Sequence, residues 1–283
     1  MQITSAVQML ILAAIALVLL KFVHYVVDTI TSSHQAVSDQ AINERCRGID
    51  LIKWIAMVTM VLDHVRFISP SLMGLFVPGR LAFPLFALAM ALNVYRQRSG
   101  NYFSAANFRY LTLLLSAALV SEVPYKLAFG AHAVTLNILP TLVLGLLVVW
   151  GVHYRTWGSA IIAILAATTA VLSHTSLNYG LLGVLLPASL LLALRGSTWT
   201  LIIPAALCFF MTSGSGRLEG FLALDEYSIL VMLTASAAPV FGIWLARQQV
   251  RFAVPRVTRW GYLFYPGHLF CLALISVVWG VDR

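Results

Sequence analysis

Charge is what this chain has least of. Only 10% of its 283 residues are Asp, Glu, Lys or Arg, whereas a soluble domain carries roughly 25%, and from Thr156 to Leu194 there are none. That run alone suffices for two membrane crossings of about 20 residues each. Together with 60% hydrophobic residues, this excludes a soluble globular domain and implies a polytopic integral membrane protein. Cysteine is scarce as well. Cys46, Cys208 and Cys271 lack ligand-like spacing, so no disulfide framework or metal site follows from them. No repeat of fixed period is present, and the many apolar segments argue for one membrane domain.

What is abundant is apolar sequence in pieces of membrane length. The expected fold is all-α, a helical bundle of about ten transmembrane helices. With the N-terminus outside, these run near Val7–Val27, Leu51–Ile68, Leu81–Tyr95, Phe108–Pro124, Val134–His153, Trp157–Leu172, Tyr179–Leu194, Trp199–Thr212, Ser228–Ala246 and Trp260–Val278. The net charge of +8 then sorts by side. Most basic residues fall inside, while Glu219, Asp225 and Glu226 fall outside, so the positive-inside bias accounts for the charge and nucleic acid is not a partner. The partner surface is membrane lipid.

The first hydrophobic segment lacks a basic leading region and is followed by Lys21, Phe22, Val23 and His24 rather than small residues. It reads as a retained helix. Residues 1–48 form an accessory helix and polar linker, and residues 49–283 the main domain. Asp50 suits an N-cap for the second helix. Ser213–Tyr227, rich in Gly and Ser, reads as a mobile outer loop.

Against this apolar background, Asp63 and His64 close an otherwise greasy helix, and titratable groups at such depth mark a functional site by default. Lys53 and His64 are eleven residues apart, about three turns, so they share one helix face with His64 about 16 Å deeper than Lys53. In the following antiparallel hairpin Arg80 returns to the level of Asp63, where it can pair the carboxylate or hold an anion. Glu122 lies at similar depth beside Pro124, which is placed to end or bend its helix. His268 sits in the last helix about nine residues in from Arg259, about 13 Å from the inner face, and Tyr265 lies on the same helix. Asn137 is a further polar group able to orient a histidine. Because neighbouring helix residues diverge by about 100°, Asp63 is not expected to bond His64, and Glu122 or a water is the better orienter. Structural readings stand beside these: Asp63–Arg80 as an ion pair stapling two helices, His268 bonded to a backbone carbonyl, and Lys53 reaching to the interface.

The segments Leu51-Ile52-Lys53-Trp54-Ile55-Ala56-Met57, Met60-Val61-Leu62-Asp63-His64, Gly79-Arg80-Leu81-Ala82-Phe83-Pro84-Leu85-Phe86, Ser121-Glu122-Val123-Pro124-Tyr125, Leu136-Asn137-Ile138-Leu139 and Phe264-Tyr265-Pro266-Gly267-His268-Leu269 occur in the order found in a known family. Over roughly residues 49–275 the chain resembles the TraX family of bacterial membrane proteins, named for the conjugative pilin acetylase. The Lys53-to-His64 spacing is also similar to that of broader membrane acyltransferases. The resemblance implies a multi-pass inner-membrane acyltransferase that acetylates the N-terminal amine of a processed pilin, with acetyl-coenzyme A as donor and no metal.

Acyl transfer needs a base, a stabiliser for the oxyanion, and exclusion of water. On this reading His64 is the base or a transient acetyl carrier, Asp63 or Glu122 holds its tautomer, Arg80 stabilises negative charge, and Tyr265 or His268 donates a proton. Lys53, Arg96, Arg98, Arg109 and Arg259 are the candidates for the phosphates of coenzyme A. Two other classes compete: a proton-coupled transporter, since Asp, Glu, His and Arg at mid-depth also serve proton relays, and a structural component of a pilus or secretion machine.

Overall fold

The computed structural model describes residues 47–97, 102–214 and 216–278. The expected first helix, the linker through Cys46, and Arg98 lie outside these residues, while the end of the expected linker, Arg47 and Gly48, begins α1. Eleven α-helices occur among the described residues: α1 Arg47–Val65, α2 Phe76–Gly79, α3 Ala82–Tyr95, α4 Ala105–Phe129, α5 Ile138–Tyr154, α6 Trp157–Leu172, α7 Gly180–Arg195, α8 Ile202–Thr212, α9 Arg217–Leu222, α10 Glu226–Arg247 and α11 Trp260–Val278. No strand occurs among them. The stretches Ser71–Tyr95, Ala105–His132 and Glu226–Arg247 are long and apolar enough to cross a membrane, and shorter apolar helices accompany them.

Local chemistry explains most boundaries. Ser104 caps α4 by accepting from the Asn107 amide, Asn137 caps α5 through Leu139, and Asp225 caps α10 through Ser228. Thr156 and Ser159 form a reciprocal capping box at α6, satisfying amides that a helix start leaves open. Three sequence expectations shift. Asp50 lies inside α1 rather than at its cap. The helix carrying Pro124 runs on to Phe129 and stops at Gly130, whose φ of 51° suits a residue without Cβ. The polar stretch Ser213–Tyr227 contains a helix, α9.

The organising element is α3. From Ala82 to Leu92 all but one of its side chains are buried, and it touches α1, α5, α7 and α10. A helix apolar all round belongs inside a bundle. Small residues allow the close approach that drives helix association in lipid: a Cβ on Gly242 of α10 would lie 2.5 Å from Leu88 and 2.7 Å from Leu85. Apolar side chains on α4 and α6, including Leu119, Val123, Ile164, Leu165 and Leu172, face outward and are exposed, as suits a lipid-facing surface. The last helix, α11, lies mainly along α4 and meets α1 only locally. The space this leaves holds the site.

Candidate functional site

Between α1, α3, α4, α11 and the start of α5 lies a cavity of about 210 Å³. Helix α1 presents Lys53, Met57, Met60 and His64 to it, a spacing of four, three and four residues that keeps them on one face. Lys53 and His64 therefore open on the same space, as their spacing predicts. The middle is apolar, with Phe83, Phe86, Met90, Leu114, Ala117 and Leu142. Polar groups gather at the two ends: Asn93, Tyr110 and Tyr262 towards Lys53, and Asp63, Tyr125, Asn178, Tyr179 and Tyr265 around His64.

The two membrane histidines meet. His64 Nδ1 lies 2.7 Å from His268 Nε2, and His268 Nδ1 lies 3.0 Å from the carbonyl oxygen of Phe264, one turn back on α11. A carbonyl only accepts, so His268 Nδ1 carries hydrogen. Its Nε2, in the neutral ring, must then accept from His64 Nδ1–H, and His64 Nε2 is left as a lone pair. The edge of Phe129 and the ring of Tyr265 close around this imidazole, at centroid distances of 5.1 and 6.4 Å. The orienter of His64 is thus His268 and not Glu122 or Asp63. Periodicity along α1 cannot show a partner that arrives on a helix 204 residues later.

Asp63 and Arg80 pair as the hairpin geometry predicts. Arg80 Nη2 donates to Asp63 Oδ1 at 2.9 Å, and Arg66 Nε reaches the same oxygen at 3.2 Å. The approach is tight because residue 79 is glycine: a Cβ there would lie 2.6 Å from Asp63 Cβ and Oδ1. Arg80 itself does not line the cavity. It stands behind Asp63 and Tyr179, donating from Nη1 to the Tyr179 hydroxyl at 2.8 Å, and its guanidinium lies 3.9 Å from the centre of the Phe76 ring. Of the two, Tyr179 lines the cavity and Arg80 does not; the phenol oxygen accepts from a cation, and its own hydrogen is left to donate.

Tyr179 escaped the sequence reading. It holds φ of 63° and the next residue, Gly180, φ of 51°. A bulky residue in the left-handed region costs of order 1–3 kcal/mol and persists only where its surroundings enforce it. Here Thr141 Oγ1 donates to the Asn178 carbonyl at 2.8 Å and Tyr179 stacks on Phe83. The available signal was Asn178-Tyr179-Gly180, a turn tripeptide carrying an aromatic ring between two apolar helices.

Glu122 turns elsewhere. Its Oε2 accepts from Asn137 Nδ2 at 2.7 Å and from the Asn137 amide at 3.1 Å, and Lys126 stands 3.7 Å from its Oε1. Asn137 also donates to the Ala118 carbonyl at 2.9 Å and caps α5. Glu122 and Asn137 bind α4 to α5 outside the residues that line the cavity, and Glu122 Oε1 has no hydrogen-bond partner among the described residues.

At the opposite end, the segment before α11 is strapped across α1. Lys53 Nζ donates to the Val257 carbonyl at 3.3 Å, the Val257 amide donates to Asp50 at 3.2 Å, and Trp54 Nε1 donates to the Pro255 carbonyl at 3.0 Å. Lys53 thus closes the mouth rather than standing open at it. Arg96 lies near Lys53, and Arg109 and Arg259 are exposed at the same end.

The fold is a helical bundle of membrane-protein type that holds a histidine pair and a phenol bonded to a guanidinium at one end of an internal cavity. Residues 48–276 match the family described as TraX protein, and the chain belongs to the TraX family. Among curated relatives it is 34% identical over 143 residues to Protein TraX of Escherichia coli and 35% identical over 143 residues to Protein TraX of Escherichia coli strain K12, in each case covering 49% of this chain and 53% of the relative. The aligned region spans about half the length of these relatives. No solved structure matches the chain.

Proposed function

We propose that this protein is a multi-pass acetyltransferase of the bacterial inner membrane, moving acetyl from acetyl-coenzyme A to the N-terminal amine of a processed conjugative pilin. The observation that carries this reading is the free Nε2 that His268 imposes on His64, at the far end of a cavity whose near end is the Lys53 mouth. Eleven helical residues separate the two ends, about 16 Å, a length suited to an extended pantetheine arm within apolar walls. Family membership supports the same reading.

The chemistry follows from the groups in place. As the amine nitrogen bonds to the thioester carbonyl carbon, His64 Nε2 takes its proton, and His268, accepting from Nδ1–H, stabilises the imidazolium. The electron pair moves onto the carbonyl oxygen, which faces the Tyr179 hydroxyl polarised by Arg80. Reforming the carbonyl breaks the carbon–sulfur bond, and the proton on His64 passes to the departing thiolate, returning His64 to its starting state. Asp63 and Arg80 are positioning residues in this scheme. Arg96, Arg109 and Arg259 supply guanidinium groups for the coenzyme A phosphates, and Lys53 joins them on releasing Val257.

Intact mass of the cognate pilin, co-expressed with wild type, with His64→Ala or with empty vector, tests the reading. A gain of one acetyl group with wild type alone is expected. Acetylation that survives in His64→Ala removes the proposed base. An unchanged pilin beside well-expressed wild type removes pilin acetylation, and flux driven by a pH gradient would then put transport in its place.

A further inference from the structure

Beside the histidine site, three guanidinium groups crowd one aromatic ring. Arg80, Arg66 and Arg217 lie 3.9, 4.4 and 5.5 Å from the centre of Phe76. They come from three separate parts of the chain: the start of the α3 hairpin arm, the end of α1, and α9. Among the described residues, their ion pairs all end on the single carboxylate of Asp63, which serves Arg80 and Arg66. Arg217 makes none there; its Nε donates to the Thr212 carbonyl at 2.6 Å. Tyr179 and Tyr227 border the group, Tyr179 receiving Arg80 Nη1 and Tyr227 lying over Phe76 at 6.5 Å. Three positive charges against one negative, partly removed from water, repel one another unless an anion joins them.

The arrangement suits an oxyanion. Contact with the Phe76 ring uses the charge of the guanidinium groups without using their N–H donors, which can bind a carboxylate. Buried Arg80 retains one donor, Nε, without a hydrogen-bond partner. The group sits between the α1–α2 connection and the α8–α10 segment, not on the outward apolar faces of α4 and α6. It is joined to the cavity through Asp63, the neighbour of His64. A ligand held there belongs to whatever enters at the His64 end.

We propose that Arg66 and Arg217, gathered with Arg80 around Phe76, anchor an acidic side chain of the polypeptide acceptor and so place its N-terminal amine at His64. This rests on the acetyl-transfer reading for its purpose but not for its test. The test uses the full chain in phosphatidylcholine nanodiscs without acetyl-coenzyme A. The probe is a dye-labelled decapeptide with a free N-terminus and two aspartates, compared by anisotropy with its asparagine counterpart. The acidic peptide is expected to bind about tenfold or more tightly, as a charge-assisted contact warrants, and added salt should erode the difference. Arg217→Gln should abolish the preference and Arg217→Glu reverse it, while Arg251→Gln, at the opposite end, should leave it intact. Equal binding of the two peptides by wild type, or a preference that survives Arg217→Gln, overturns the proposal. Loss of the preference when phosphatidylglycerol replaces phosphatidylcholine assigns the site to lipid headgroups and overturns it too. If the acidic peptide binds as expected yet gains no acetyl group once acetyl-coenzyme A is added, the anchor stands and the acetyl-transfer reading fails for that acceptor.

Discussion

His64 and His268 stand 204 residues apart in sequence and 2.7 Å apart between ring nitrogens, their rings within 7° of parallel. With His268 Nδ1 tied to the Phe264 carbonyl, the pair has one neutral arrangement, and that arrangement keeps His64 Nε2 unprotonated. His268→Ala is expected to lower acetyl transfer about 100-fold, the scale of a lost acid–base partner, while leaving the protein folded. His268→Gln, able to accept through its amide oxygen, should recover part of the loss. Activity should fall with acidification along a one-proton curve, because a single proton on Nε2 removes the base, and return as pH rises. A turnover–pH profile of the purified protein checks both statements.

Gly79→Ala is expected to push Asp63 aside, since the new Cβ would start 2.6 Å from Asp63 Cβ and Oδ1. Overpacking of this kind costs about 1–3 kcal/mol. Thermal unfolding in detergent should register it, together with loss of activity out of proportion to the change in Tm.

Removing Asp63 alone should be worse than removing the pair. Arg80 is only 8% exposed, and a buried cation stripped of its carboxylate costs about 3–5 kcal/mol. Asp63→Asn should therefore destabilise strongly, and Asp63→Asn combined with Arg80→Met should regain much of the stability without regaining activity. A double-mutant cycle on unfolding, run beside the acetylation assay, separates the stapling role from the functional one.

Tyr179→Phe removes one hydroxyl and keeps the ring against Phe83. A fall of about 100-fold in kcat with little change in KM is expected of a lost oxyanion donor. A change confined to Tm, with kcat intact, would reduce Tyr179 to a support for Arg80.

Ala117→Phe should fill the apolar middle of the cavity. The 210 Å³ space accommodates a benzyl group, so the variant should express and fold while acetylation stops. A mass measurement on the pilin shows whether the route from Lys53 to His64 is used.

Much of this was legible in the sequence. Apolar runs of membrane length located every long described helix in order, and the helical period alone placed Lys53 and His64 on one face. The antiparallel α1–α3 hairpin brought Arg80, just before α3, back to Asp63, near the end of α1. The expected level of His268 with His64 is met by their contact. What depth omits is direction around the axis. Glu122 points at Asn137 rather than His64 because the rotation of α4 is set by the helices it packs against.

Sequence by itself determined the all-helical membrane class, the order of the helices, and the titratable residues worth attention, since composition and periodicity are local properties. Only the tertiary structure decided that His268 and not a carboxylate holds His64, that Tyr179 and not Arg80 faces the cavity, and that Lys53 is bound to the segment before α11. Each of these depends on side chains from helices far apart in the chain meeting at one point, and no local preference encodes that meeting. It is the packing of α11 along α4, largely away from α1, that creates both the cavity and the histidine contact at its end.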